Sequence, residues 1–272
     1  MKGTIFLKLG GSLITDKTQP RTPRLEVLAR LVDEIAAARN QNPEIHLIIG
    51  HGSGSFGHVP AKKYGTRQGV ITPEESHGFV EVWRDANALN RLVMDALQAA
   101  KLPAIAFPPS AGVFAKAGLV VSWDLAPLQS ALSHGIIPVI QGDTVFDQVR
   151  GGTILSTEDL FDHLARQLRP ARILLAGIEP GVWATFPPPS QSEGSTGIIP
   201  KITHTNIVQV APILAGSTAT DVTGGMASKV LQSISLTEAI QELEVLIFSG
   251  EEPGTLRQVL LGAQKGTIIR YN

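Results

Sequence analysis

Short apolar runs alternate with longer amphipathic stretches from one end of the chain to the other, and this alternation constrains the fold more than any other feature. Thr4–Leu9, Ile45–Ile49, Ala104–Phe107, Ile136–Ile140, Arg172–Ala176, Val245–Phe248 and Thr267–Tyr271 have the length and apolar content of strands. Between them, Arg24–Arg39, Pro73–Ala100, Ala126–Ser133, Glu158–Gln167 and Met226–Glu242 carry the pattern of helices with one apolar face. Strands separated by helices predict an α/β fold, a three-layer α/β/α sandwich around a mostly parallel sheet. The strands are almost continuously apolar, as burial on both faces requires. With 272 residues, 43% of them hydrophobic, the chain can bury a substantial core. Val145–Gly152, followed by Thr153–Leu155, reads as a hairpin with a Gly-Gly turn. It marks the expected boundary between an N-terminal lobe, residues 1–150, and a C-terminal lobe, residues 151–272, of one continuous fold. Pro187–Gly197 has the composition of an exposed loop.

Charge narrows the function. Lys and Arg number 23 against 24 Asp and Glu, and no basic tract stands out, so neither nucleic acid nor an anionic membrane is an expected partner. The absence of cysteine excludes disulfides and thiol nucleophiles. The N-terminal residues lack the pattern of a signal peptide, and no apolar run approaches the ~20 residues needed to span a bilayer. A cytoplasmic location is the expectation.

Glycine and polar residues collect where the strands end, in Lys8-Leu9-Gly10-Gly11, Ile49-Gly50-His51-Gly52, Ile140-Gln141-Gly142-Asp143 and Ala176-Gly177. In open α/β sheets ligands bind outside the carboxyl ends of the strands, so this edge is the expected site. After the first strand, Gly10, Gly11 and Ser12 offer backbone N–H groups to a phosphate, with Lys8 supplying positive charge. A tight turn is the alternative, but a lysine within a buried strand needs a partner. From Gly50 to His58, nine residues hold four glycines, two serines and two histidines, a composition suited to wrapping an oxyanion. His51 reads equally well as a structural or a ligand residue.

Asp221 to Lys229 places Gly224 and Gly225 at the start of a helix, a seat for phosphate, with Lys229 about one turn in. Helix capping by Asp221 or Thr223 is compatible with the same residues. Asp143, at a strand end, is a candidate to orient Lys8 and Lys229 or to help hold Mg²⁺, with a plain turn residue as the alternative. Ser156-Thr157-Glu158-Asp159 resembles a capping box, and capping alone accounts for it. The chain offers no hydrolytic triad and no HExxH pattern, and no metal ligands are assigned. Cations and anion cradles without a strong base are the inventory of phosphoryl transfer.

With these motifs in place, the sequence resembles the amino acid kinase superfamily and, within it, the isopentenyl phosphate kinases. The resemblance is carried by Lys8-x-Gly10-Gly11-Ser12, Leu13-Ile14-Thr15-Asp16-Lys17, Gly54-Ser55-Phe56-Gly57-His58 and Asp221-Val222-Thr223-Gly224-Gly225-Met226-x-x-Lys229. It implies that Lys8 and Lys229 contact phosphates, that Lys17 approaches the γ-phosphoryl group and that Asp143 organises the lysines. His58 is implied to hold the acceptor's phosphate, among Gly52, Ser53, Gly54, Ser55, Gly57 and Gly142. Gly177 and Trp183 fall on the nucleotide side, and ATP with Mg²⁺ is the implied donor. The implied small-molecule acceptor is isopentenyl phosphate, converted to the diphosphate by direct in-line transfer. Phe79, Val82, Trp83 and Ile140 are candidates to line its apolar tail, with core packing as the competing reading. A homodimer through Pro73–Ala100 is also implied. The chain departs from the family pattern at Ser156-Thr157-Glu158, where Ser-Gly-Asp is usual, and at Ile178, where a polar residue is usual. A different phosphate or phosphonate acceptor such as fosfomycin, and a catalytically silent nucleotide binder, are the rival readings.

Overall fold

The computed structural model describes residues 3–185, 197–216 and 225–272. Strand β1 (Ile5–Leu9) runs into a short helix, α1 (Gly11–Ile14), and a small hairpin of β2 (Thr15–Asp16) and β3 (Thr22–Pro23). Helix α2 (Leu25–Gln41) leads to β4 (Leu47–His51), α3 (Gly54–Tyr64), α4 (Pro73–Ala99) and β5 (Ala104–Ala106). Next come α5 (Pro109–Gly112), β6 (Val113–Lys116), β7 (Leu119–Trp123), α6 (Ala126–Ser133) and β8 (Ile137–Gln141). A hairpin of β9 (Asp143–Asp147) and β10 (Gly151–Leu155) precedes α7 (Thr157–Leu168) and β11 (Arg172–Gly177). The remainder comprises β12 (Val182–Trp183), β13 (Ile198–Ile199), β14 (Lys201–Ile202), α8 (Ile207–Gly216), α9 (Gly225–Ala239), β15 (Glu244–Ser249), α10 (Thr255–Leu260) and β16 (Thr267–Ile269).

The central sheet has the order β14-β16-β15-β11-β1-β4-β8-β5 and is parallel except where β16 meets β15. Strand β1 lies between β11 and β4, so residues from both halves of the chain share one sheet. Both faces of β1 are covered, and the alternation of side chains along a strand sorts its residues. Ile5, Leu7 and Leu9 join a cluster with Leu28, Leu31 and Ile35 of α2 and Leu89 and Val93 of α4. Phe6 joins the opposite cluster, with Leu160, Phe161 and Leu164 of α7 and Val230 and Ile234 of α9. Lys8 shares the Phe6 side. Strand register therefore aims its ammonium group at the helices α7 and α9.

A second sheet, of order β10-β9-β6-β7, goes beyond the hairpin expected from sequence. The β9–β10 hairpin is present, but Gln148–Arg150 form its turn and the two glycines begin the returning strand. Gly151 enters that strand at φ +73°, a conformation that favours glycine. The β6–β7 hairpin has exposed apolar residues, Leu119 among them, and a bulge at Phe114/Ala115, which blur the alternating pattern of a half-buried strand. Likewise the glycine-rich segment after β4 is helix α3, despite Gly54, Gly57 and Pro60 within it.

Buried Asp147 ties the two hairpins together. Its carboxylate accepts hydrogen bonds from the backbone N–H groups of Ala117 and Gly118 in one turn and of Val149 and Arg150 in the other, at 2.7–3.0 Å. Burial pushes the carboxyl up, but these donors outweigh it and hold the group below its ordinary value of 3.8. A lowered native pKa adds stability above the unfolded value and loses it as pH falls through the native one. Asp147→Ala is expected to destabilise the fold by about 2–3 kcal/mol. The loss should shrink as pH falls below the ordinary carboxyl value of 3.8, and thermal unfolding measured at pH 7 and at acid pH checks both statements.

Candidate active site

The carboxyl ends of β1, β4, β8 and β11 open onto one cleft of about 500 Å³. Its wall includes Lys8, Gly10, Gly11, Ser12, Lys17, Gly52, Ser53, Gly54, His58, Gly142, Gly177, Trp183, Gly225 and Lys229. Sequence motifs far apart in the chain thus meet at one place.

The glycines are there for packing as well as for anion contact. A Cβ on Gly10 would lie 2.8 Å from the carbonyl oxygen of Ala176, and one on Gly11 would lie 2.6 Å from the backbone nitrogen of Gly54. The turn after β1 therefore packs main chain to main chain against the segment after β4. Gly54 itself has φ +49°, and a Cβ there would collide with Thr15 Oγ1. Ser55 is buried: its N–H donates to Thr15 Oγ1 at 3.0 Å and its hydroxyl accepts from Thr22 N at 3.2 Å. Ser55 and Gly57 shape α3 from outside the cleft wall.

Lys8 forms an ion pair with Glu158 of α7. The two side chains are only 10% and 14% exposed. Burial raises the Glu158 carboxyl, but Lys8 and the charge of Lys229 outweigh it, so its pKa falls and it stays ionised. Burial also draws the Lys8 ammonium below its ordinary value, with Glu158 opposing that effect and Lys229 adding to it. Two lysines here share one carboxylate, which leaves net positive charge facing the cleft.

The carboxylate beside Lys8 is therefore Glu158 and not the expected Asp143. Asp143 is buried, with one oxygen accepting from Ser110 N at 3.3 Å and the other from Thr144 N at 2.9 Å. Burial, opposed by these donors, raises its pKa to about 6. Its strand position turns it to the α5 turn, away from Lys8. In the sequence Glu158 stands where the resemblance implies the carboxylate of Ser-Gly-Asp, but Ser156 and Asp159 complete a capping box without it, so local pattern does not pair it with Lys8. One signal points to it: Lys8 needs a partner, and Glu158 is the acidic residue of that turn which the box does not use.

His51 resolves as structural. Fully buried, it has Nε2 3.0 Å from Asn90 Oδ1 and Nδ1 3.2 Å from the carbonyl of Gly52, and burial lowers its pKa. His58, by contrast, lines the cleft from α3, as Lys17 does from the turn after β2. Ile140 belongs to the core cluster on the Phe6 side of the sheet. Phe79 packs on Phe146 with ring centroids 5.4 Å apart, Val82 is buried, and the half-exposed Trp83 indole donates to Ser110 Oγ at 3.2 Å. These four do not form part of the wall of the cleft.

Elsewhere the wall turns apolar, with Val182, Trp183, Ile213, Leu214, Met226 and Ile247. Trp183 donates from its indole to Glu179 Oε2 at 2.7 Å, and Glu179 also faces the cleft. In the sequence Glu179 belongs to the nucleotide-side loop from Gly177 to Trp183, where the resemblance implies an acidic pair. Asp221 and Gly224 lie outside the described residues, whereas Gly225 opens α9 with φ +61°. Among the described residues no group of three His, Asp or Glu side chains is placed to hold a metal ion. No helix among them is long and apolar enough to cross a membrane.

Comparison with known proteins agrees with this geometry. The model of the amino acid kinase family matches residues 3–249. An isopentenyl phosphate kinase of Methanocaldococcus jannaschii is 33% identical over 98% of both chains. Another, of Methanothermobacter thermautotrophicus, is 33% identical over 97% of this chain and 98% of its own. A crystal structure of isopentenyl phosphate kinase superposes with a TM-score of 0.80 at 29% identity, covering 98% of this chain and 99% of that one. The chain belongs to the amino acid kinase family and, within it, to the isopentenyl phosphate kinases.

Proposed function

We propose that the protein transfers the γ-phosphoryl group of ATP to isopentenyl phosphate, giving isopentenyl diphosphate and ADP. The observation that carries this reading is the cleft in which His58, Lys17, Lys8 and Lys229 share a wall with the apolar side chains of Val182, Trp183, Leu214 and Met226. In it, Lys8, Lys229 and the N–H group of Gly11 meet the phosphates of the nucleotide, and the surface around Trp183, Leu214 and Met226 takes the base; the Gly10 N–H, expected as a second donor, is instead bonded to the Ala176 carbonyl at 2.8 Å. His58 and the segment from Gly52 hold the acceptor's phosphate.

In-line transfer asks the protein to bring two phosphates together and to neutralise the charge that develops between them. Glu158 serves this by fixing the direction of Lys8 while leaving excess positive charge. No strong base is required, because a phosphate acceptor is largely ionised near neutral pH. A divalent cation brought in with the nucleotide would supply further positive charge beside Lys8 and Lys229.

ADP release by the purified protein with MgATP, compared across isopentenyl phosphate, dimethylallyl phosphate, fosfomycin and no acceptor, tests the reading. Turnover is expected with the prenyl phosphates. Turnover with fosfomycin alone would reassign the acceptor, and none with any acceptor would end the kinase assignment.

A further inference from the structure

Arg67 lies in the segment between α3 and α4, outside the cleft wall. Its backbone is pinned to the second sheet: the carbonyl accepts from Thr153 Oγ1 at 2.8 Å and from Arg150 Nη1 at 3.2 Å. From that anchor its Nη2 donates to Asp159 Oδ2 at 3.1 Å. The same carboxylate oxygen accepts from Ser156 N at 2.8 Å, and Oδ1 accepts from Gln232 Nε2 at 3.0 Å. One side chain thus joins the α3–α4 segment, the first turn of α7 and the middle of α9.

Both helices reached by this carboxylate carry a charge of the active site. Asp159 follows Glu158, the partner of Lys8. Gln232 lies three residues beyond Lys229, so the two side chains occupy neighbouring positions on one face of α9. Apart from the attraction between Glu158 and Lys229, α7 and α9 meet elsewhere through apolar residues of one cluster, such as Leu160, Leu164, Val230 and Ile234. Apolar contact is non-directional and tolerates small sliding of one helix along another. Hydrogen bonds to a carboxylate held from two sides are directional and do not. A capping box needs only Asp159's bond to Ser156 N and the return bond of Ser156. The bonds to Arg67 and Gln232 are additional to it.

We propose that Arg67, Asp159 and Gln232 are positioning residues: their hydrogen-bonded bridge fixes α9 against the first turn of α7 and thereby sets Lys229 relative to the Lys8–Glu158 pair. The proposal rests on the phosphoryl-transfer reading for its kinetic consequence but not for its structural one. A displacement of about 1 Å of a group at the reacting phosphate can slow a reaction by about 100-fold, so a smaller shift of Lys229 has a measurable effect. A partly exposed ion pair with no such role contributes about 0–1 kcal/mol and leaves kcat alone.

Arg67→Met and Gln232→Met leave Asp159 and its capping box intact. Each is expected to lower kcat about 10-fold with the KM for isopentenyl phosphate unchanged, and the double variant to lose little more than either alone. Arg67→Lys, which retains a donor, is expected to recover most of the rate. In the same proteins, amide hydrogen exchange should quicken in peptides from the first two turns of α9 and stay unchanged in α2. Unchanged kcat together with unchanged exchange overturns the proposal. So does a loss of rate that tracks a fall in melting temperature and is not relieved by Arg67→Lys. Should the wild type fail to phosphorylate isopentenyl phosphate, the exchange measurement alone decides: faster α9 exchange upholds the bridge while the functional reading falls, and unchanged exchange removes both.

Discussion

Lys8→Met is expected to lower kcat about 1,000-fold, the largest effect of any single substitution in this protein. The expectation follows from where the side chain is. Lys8 rises from the penultimate position of the central strand β1, on the face that meets α7 and α9, and it is only 10% exposed. A cation so placed keeps its position without reorganising as charge develops on a transferring phosphoryl group. Lys229 cannot take over, because it approaches from helix α9 and shares the same carboxylate. The substitution also leaves Glu158 as a buried charge that has lost its ion-pair partner, which should destabilise the fold by about 3 kcal/mol. Pairing it with Glu158→Gln separates the two effects. The double variant is expected to regain melting temperature and to remain inactive. Lys8→Met with near-normal kcat would sink the assignment of this cleft to phosphoryl transfer.

His58→Ala should reduce kcat/KM for isopentenyl phosphate by about 10- to 100-fold and leave the KM for ATP within a factor of about two. A hydrogen bond to a charged phosphate oxygen is worth about 1.5–3 kcal/mol, which sets that range. The division between substrates follows from the fold. His58 sits on α3, which packs against α4, while the apolar wall is built from β12, α8, α9 and β15. Steady-state kinetics with each substrate varied in turn reads the difference. An equal loss for both substrates, or none for the acceptor, would remove His58 from the acceptor site.

Much of this architecture is legible in the order of the amino acids. Apolar runs with glycine at their ends place the strands of the central sheet close to where they lie, and the same glycines place the cleft. Strand and helix periodicity are properties of a few neighbouring residues, set by backbone geometry, so a sequence displays them directly. The β6–β7 hairpin escapes such a reading because its outward residues, Phe114, Leu119 and Val121, are apolar too, which hides the alternation. Helix α3 reads as a loop because its glycines weaken helix propensity. Close backbone approach to Gly11 and to Thr15 requires one of them, and packing overrides the propensity.

The choice of carboxylate shows where local pattern stops being enough. The order of residues is enough to put Lys8 in a buried strand that calls for an acidic partner, and to gather glycine turns and lysines at one sheet edge. It is also enough for a capping box from Ser156 to Asp159. Packing of the whole chain was needed to bring Glu158 to Lys8, to turn Asp143 to Ser110 and Thr144, and to let Asp159 reach both Arg67 and Gln232. Lys8 and Glu158 are far apart in the chain, and their meeting depends on how α7 rotates as it packs its apolar face on the sheet. That rotation is set by the sum of many apolar contacts across the core, and no local pattern records it.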